Sequence, residues 1–341
     1  MVRAIQTGVG WFGIKYVTTF TRGVPGIELV GFVARSDKSK ARLAEAGISP
    51  ERVFPSLAEA AHATGAELLI NATKTPEHYP LIKEALGLGL HVLTEKPFTS
   101  NVAEARDLIA LAETRGLFLG VAENYRYDPA PIEVHRLIRA KHFGSPTRVS
   151  VFFRMNLRTM GFAYPYPEIA HPMLADYGIH IFHLMRWLLG DEPVRVSAVT
   201  WTHANTGLAE PPAALVTVEF ASGVYATLDG SYISSGPPTN WDGEWSMEFE
   251  DGEMWWTGRD GTDRVVLRPL GGKPEELRLT TPDYPDAAGA VHAVAQAIET
   301  GKAGDDFVAG SDNIHSLAIS EAAILSASRR GEWVNLGEIL G

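Results

Sequence analysis

Arg3-Ala4-Ile5-Gln6-Thr7-Gly8-Val9-Gly10-Trp11-Phe12-Gly13 opens the chain, a helix-like run to about Arg22 follows, and Ile27-Glu28-Leu29-Val30-Gly31-Phe32-Val33 comes next. The order is strand, glycine loop, helix, strand. In that setting glycines at this spacing mark a dinucleotide site. Gly8 permits the tight turn, Gly10 lets the backbone approach a pyrophosphate, and Gly13 lets the helix pack closely. Trp11 and Phe12 belong to the same cofactor loop, and the helix amino terminus offers free N–H groups to phosphates.

The second strand bears on which dinucleotide. Counting about 20 residues from Gly8 reaches Glu28, but Glu28 opens that strand, whereas the ribose lies beyond its carboxyl end, at Ala34-Arg35-Ser36. No carboxylate appears there until Asp37. An acid would bind a 2′-hydroxyl and repel a 2′-phosphate; an arginine and a serine hydroxyl suit the phosphate. The sequence predicts that NADP is preferred, with Arg35 and Ser36 as phosphate contacts and Lys38 nearby. The competing reading stacks Arg35 on adenine and admits NAD as well.

The alternation continues with a helix over 56–63, a strand over 67–72, a helix over 76–86, a strand over 90–93, a helix over 101–114 and a strand over 117–121. Strands joined by crossover helices predict a doubly wound parallel sheet over residues 1–125. Thr73, Thr75, Pro76 and His78 follow a strand at its carboxyl end and are expected along the nicotinamide side of the cofactor. Thr94-Glu95-Lys96-Pro97-Phe98 ends the next strand, and Pro97 disfavours helix at Lys96. Ligands of open α/β sheets bind outside the carboxyl ends of strands, so Lys96 is either a cationic donor to a substrate or a solvated surface lysine.

Beyond 126 the texture changes. Strand-like alternation at 147–154, 195–202, 214–220, 224–231, 245–250, 253–256 and 265–268, with short turns between, predicts an α/β domain over 126–341. Its open sheet should be large and mostly antiparallel, with helices at about 177–189, 287–299 and 311–329. Phe162 to Pro167 is a stiff aromatic segment, either a wall for a sugar face or a rigid loop at a subunit contact. Trp241, Trp245, Trp255 and Trp256 are read as sheet packing or dimer contact.

Composition narrows the partners. The 341 residues are 45% apolar, carry a formal charge of −11 and include no cysteine. A negative protein without a lysine and arginine cluster is a poor match for nucleic acid or an anionic membrane. No apolar run approaches the ~18 residues of a membrane span, and no leader precedes the first strand, so a cytoplasmic location is expected.

Asp176-Tyr177-Gly178-Ile179-His180-Ile181-Phe182-His183 places an aspartate and two histidines on one helical face. A carboxylate can hold an imidazole in one tautomer for acid–base work. An aspartate cap with core histidines, a metal set of Asp176, His180 and His183, and catalysis by one histidine alone are the other readings. His180, nearer the helix start, should reach a cleft; His183 should face the core.

Together, the glycine-motif domain, Glu95-Lys96-Pro97, Asn124-Tyr125-Arg126-Tyr127-Asp128-Pro129 and Asp176-x-Gly178-x-His180 resemble the glucose–fructose oxidoreductase, inositol dehydrogenase and rhizopine catabolism protein family. The resemblance spans nearly the whole chain. It implies an NAD(P)-dependent dehydrogenase acting on a secondary alcohol of a sugar, polyol or inositol-like substrate, and no metal. Lys96, Asp176 and His180 match the family's catalytic lysine, aspartate and histidine. On that reading His180 is the base, Asp176 orients it, and Lys96 stabilises charge on the reacting oxygen. Glu95, Lys96 and Asn124 join the cofactor set, and Tyr125, Arg126, Asn156, Arg158 and Tyr164 lie in segments able to line a substrate cleft. In relatives the open sheet often forms a dimer interface, which implies a homodimer or homotetramer. The Ala34-Arg35-Ser36 corner departs from the aspartate of NAD-specific members. Two alternatives stay open: a glycoside-acting enzyme with retained cofactor, and an NADP sensor without turnover, against which the full lysine, aspartate and histidine set argues.

Overall fold

Apolar Val2, Ala4 and Ile5 precede buried Gln6 and Thr7 in β1 (Val2–Thr7), which is buried except at Arg3 in this computed structural model, where residues 1–159, 169–202, 210–259 and 261–341 are described. Beside it lie β2 (Ile27–Val33), β3 (Val53–Phe54), β4 (Leu68–Asn71), β5 (His91–Glu95) and β6 (Leu119–Ala122). All pairings are parallel, in the order β3-β2-β1-β4-β5-β6. The chain reverses direction of travel across the sheet between β1 and β4, and a crevice forms at such a switch point. The central strands read as unbroken apolar runs because helices cover both faces.

Those helices begin where the local chemistry allows. After the glycine loop come α1 (Gly13–Lys15) and a π turn, Tyr16–Phe20, in place of one regular helix to Arg22. The wider turn buries Tyr16, Val17 and Phe20, with Phe20 packed edge-on to Tyr16. Ser36, Ser56 and Asn101 cap α2 (Asp37–Glu45), α3 (Leu57–Thr64) and α5 (Val102–Arg115) by accepting a backbone N–H. Between the last two lies α4 (Thr75–Gly87), which carries Pro76 in its first turn.

The second sheet joins β7 (Pro146–Arg154), β8 (Pro193–Trp201), β9 (Ala213–Phe220), β10 (Tyr225–Ser231), β11 (Glu244–Phe249), β12 (Gly252–Thr257), β13 (Arg264–Pro269), β14 (Glu275–Glu276) and β15 (Val334–Asn335). The order is β14-β13-β12-β11-β7-β10-β9-β8-β15, antiparallel throughout except for the parallel pair β7 and β10. Val149, Val151 and Phe153 point to the buried face, and their strand neighbours are less buried, as a sheet covered on one side requires. Trp245 and Trp256 stack at 5.5 Å inside that core, and Trp255 turns to the other face under the Arg268 guanidinium. Among the described residues, the helices packed with this sheet are α6 (Pro129–Arg139), α7 (Gly178–Leu189), most of α9 (Gly310–Ser328) and the short α10 (Leu336–Leu340).

The division of the chain differs from a single break near residue 125. One unit is Met1–Tyr127 with Asp283–Ile314, and the other is Asp128–Pro282 with His315–Gly341. The returning segment contains α8 (Ala287–Thr300), whose Ala287, Ala290, Val291, Val294 and Ala295 share a core with Val2, Ala4, Leu68, Ile70 and Leu93 of the first sheet. Its small residues allow close approach: a Cβ on Gly289 would lie 2.4 Å from the Tyr127 ring. Among the described residues no helix is long and apolar enough to cross a membrane. Gly289→Ala should overpack this contact and cost roughly 1–3 kcal/mol. A urea titration checks this, and an unchanged midpoint would contradict the packing described.

Candidate functional site

At the carboxyl edge of the first sheet the glycine loop is held by backbone contact. Gly8 has φ +77°, and a Cβ there would sit 2.2 Å from the Ala72 carbonyl. One on Gly13 would lie 2.2 Å from the Gly8 oxygen, whereas one on Gly10 would meet nothing within 4 Å, and the Gly10 carbonyl accepts the Ile14 N–H at 3.2 Å. Gln6, fully buried, donates from Nε2 to the Gly8 and Gly13 carbonyls at 3.0 and 2.7 Å, strapping the two ends of the loop together. The Arg42 guanidinium reaches the Val9 carbonyl at 3.2 Å. Trp11 stands 59% exposed, with the Lys15 amine 4.8 Å from its ring centre. Phe12 turns inward against the Tyr16 and Phe20 rings.

A cleft of about 370 Å³ opens beside this loop, lined by Thr7, Gly8, Val9, Ala34, Arg35, Ser36, Ser39 and Thr73 among others. A tight glycine turn at Gly8, a hydroxyl-rich wall and an exposed arginine fit a dinucleotide. Ser36 also caps α2, where its Oγ accepts the Ser39 N–H at 3.2 Å and donates to the Ser39 hydroxyl at 2.9 Å. Ser39, one turn into that helix, lines the cleft although the strand-end pattern does not point to it, whereas Lys38 is exposed beside it and does not line it. Glu77 and Glu84 of α4 contribute carboxylates to another part of the wall.

Beneath the cleft, buried side chains bridge the strand ends. Asn71 Oδ1 accepts from the Thr7 hydroxyl at 3.0 Å and the Thr73 hydroxyl at 2.8 Å, and its Nδ2 donates to the Thr94 hydroxyl at 3.1 Å. Thr75 and Pro76 form the first turn of α4. His78, expected along the cofactor, is instead fully buried, with Nδ1 2.9 Å from the Pro97 carbonyl and Nε2 3.1 Å from that of Thr73. Burial pushes its pKa down against the pull of those carbonyls. Lys96, next to Pro97, is half-buried, and the peptide between them is cis.

Glu95 is turned inward rather than left open to a ligand. Its Oε1 accepts the buried Tyr16 hydroxyl at 2.5 Å. Burial raises its pKa to about 7, opposed by that bond and by the Lys96 charge. Burial chiefly, and then the Glu95 contact, raise the Tyr16 phenol. Asn124 likewise is committed, donating to Asp286 at 2.6 Å, where Asp286 caps α8 with φ +56°. Arg126 is buried with Nη2 on the Asp305 carbonyl at 3.0 Å, which takes it from the expected substrate wall into the anchoring of the returning segment. Tyr125 remains half-buried.

In the second unit Asp176 lies in a π turn, Met173–Tyr177, that runs directly into α7. Such turns are rare and concentrate at functional sites. His180 and His183 are 5% and 1% exposed, so the expected contrast between a cleft histidine and a core histidine is small. Among the described residues no three histidine, aspartate or glutamate side chains gather as metal ligands, and Asp176, His180 and His183 form no such set. Asn156 donates to the Ser234 carbonyl at 3.0 Å and accepts the Arg158 N–H at 3.2 Å, so it shapes a turn in place of touching substrate. Arg158 is exposed; Tyr164 and the Phe162 to Pro167 segment lie outside the described residues.

Glu95 yields a pH prediction. Its carboxyl ionises near 4.5 in the unfolded chain and near 7 in the fold, so its contribution is complete below about pH 4.5 and is lost as pH rises through 7. Glu95→Gln stays neutral and should gain up to about 3 kcal/mol relative to the parent on going from about pH 4.5 to pH 8. Paired urea titrations check this, and a constant difference between the two proteins would contradict it.

Comparison with known proteins agrees with this architecture. Residues 3–123 match a family model described as an oxidoreductase family with an NAD-binding Rossmann fold, and residues 132–254 match the GFO/IDH/MocA C-terminal domain. A D-apiose dehydrogenase of Paraburkholderia graminis is 29% identical, over 96% of this chain and 88% of its own length. Inositol 2-dehydrogenase 4 of Saccharopolyspora erythraea is 30% identical over 67% of this chain and 66% of its own. The fold superposes with a TM-score of 0.86, at 20% identity and covering 99% of both chains, on an Agrobacterium radiobacter oxidoreductase in complex with NAD+, L-tartaric acid and magnesium. With both models of one family matched in order along its length, this chain belongs to the GFO/IDH/MocA oxidoreductases.

Proposed function

We propose that this protein oxidises a secondary alcohol of a sugar, polyol or inositol-like substrate and prefers NADP to NAD. The observation that carries the reading is the carboxyl edge of the first sheet, where the glycine loop after β1, the Arg35 and Ser36 corner after β2 and the Lys96 strand tip after β5 all emerge. Relatives named for D-apiose and inositol support a polyhydroxylated substrate.

Bound nicotinamide supplies a hydride acceptor. With a dinucleotide bound, the loop that Gly8 turns and Gly13 packs would take the pyrophosphate at Gly10, the Arg35 guanidinium and the Ser36 hydroxyl would receive a 2′-phosphate, and Thr73 would border the cofactor. His180 takes the hydroxyl proton as hydride leaves carbon, with Asp176 holding its tautomer. The Lys96 ammonium donates to the reacting oxygen and stabilises the negative charge that grows there. A dehydrogenase needs all three groups; a sensor needs none. The sheet face carrying Val199, Leu215 and Tyr225, each more than one-third exposed, is the surface for pairing with a second copy.

The test is steady-state nicotinamide reduction with NADP+ and with NAD+ against inositols, aldoses, polyols and glycosides. Turnover should be faster with NADP+. Turnover with NAD+ alone would overturn the cofactor preference, and tight cofactor binding without turnover would favour retained cofactor or sensing. Arg35→Ala should raise the KM for NADP+ by about tenfold, the worth of a charge-assisted bond, and leave that for NAD+ unchanged. His180→Ala should lower kcat by about 10² or more; a fully active variant would remove it from the mechanism.

A further inference from the structure

His78 touches two functional loops and has no cofactor or catalytic duty in the reaction above. Its ring is fully buried at the first turn of α4, and its two nitrogens face carbonyls of different segments. Thr73, which follows β4 and lines the cofactor cleft, is 3.1 Å from Nε2. Pro97, one peptide past Lys96 and following β5, is 2.9 Å from Nδ1. A neutral imidazole has one N–H and can donate to only one of these oxygens; the imidazolium donates to both. Burial favours the neutral ring, which with its proton on Nδ1 bonds the Pro97 carbonyl and packs against the loop at Thr73. Lys96 is therefore fixed on one side by Glu95, whose carboxylate is held by Tyr16, and on the other by Pro97 through His78.

From this geometry we infer that His78 is a positioning residue for Lys96, acting chiefly through its Nδ1 contact with the Pro97 carbonyl. The inference rests on the dehydrogenase reading for its effect on rate, but not for its effect on the lysine itself. Misplacing a reacting group by about 1 Å can cost 10²-fold in rate, so loss of the Pro97 contact should appear in kcat rather than in cofactor affinity.

Two substitutions separate the nitrogens. His78→Asn puts an amide donor near the Nδ1 position, toward Pro97; His78→Gln puts one near the Nε2 position, toward Thr73. In the full-length protein His78→Gln should lower kcat about tenfold or more, with the NADPH dissociation constant and the substrate KM little changed, and His78→Asn should retain most of kcat. A second readout does not need turnover: competitive acetylation of Lys96, measured by mass spectrometry against the exposed Lys40. The Lys96 rate should change in His78→Gln and stay near the parent value in His78→Asn. Equal kcat and equal labelling in the two variants, or unfolding of both, would overturn the positioning role and leave only a structural one. A labelling difference in a parent protein that turns over no substrate would keep the positioning role and sink the proposed function instead.

Discussion

Three adjacent parallel strands end in a ladder of buried side-chain hydrogen bonds, Thr7 to Asn71 to Thr94, and the loops that matter leave the sheet from those ends. Each bond contributes only about 1 kcal/mol net, but a buried partner left unsatisfied costs about 1–3. The penalty fixes the relative register of the strand ends more firmly than apolar packing alone, because packing tolerates small slides and a short hydrogen bond does not. The Gly8 turn follows Thr7, Thr73 follows Asn71, and Lys96 follows Thr94 and Glu95. Their spacing is inherited from the ladder.

A second layer of constraint comes from the far end of the chain. Asp286, Asp305, Asp306 and Asn313 meet Asn124, Arg126, Tyr127 and Glu123 through side-chain or carbonyl contacts of 2.6 to 3.0 Å. Polar side chains that follow β6 are thereby consumed in binding the returning segment. The inward turn of Glu95 has the same character. Its neighbour Tyr16 belongs to the π turn after the glycine loop, so one hydrogen bond links the helix that follows that loop to the residue before Lys96. The cofactor loop and the lysine loop cannot shift independently.

Much of this is legible in the residues. The glycine loop is a local signal, since Gly8 and Gly13 are required by contacts with nearby backbone, and the longer strands of both sheets follow alternation or apolar runs, whereas the two-residue β3, β14 and β15 are too short to show either. The returning segment is not legible as part of the first unit, because an alanine-rich helix names no partner. Nor does a polar residue announce its partner: Arg126, Asn156 and His78 look like ligand contacts until tertiary structure supplies a carbonyl for each. A usable signal does exist at Gln6, Asn71 and Thr94, amide or hydroxyl side chains near the last positions of apolar strands. A buried polar group needs a partner, and such groups gathered at one sheet edge can supply one another. The π turn under Asp176 has no counterpart in the spacing, which reads as regular helix.

Lys96 stands at the centre of the proposed chemistry, on backbone held by the contacts of Glu95 and Pro97 beside it. The most direct measurement is kcat of Lys96→Ala with the cofactor dissociation constant measured in parallel. Loss of a charge donor aimed at the reacting oxygen predicts a fall of at least about 10² in kcat with cofactor affinity little changed. A variant that turns over at the parent rate would contradict the assignment.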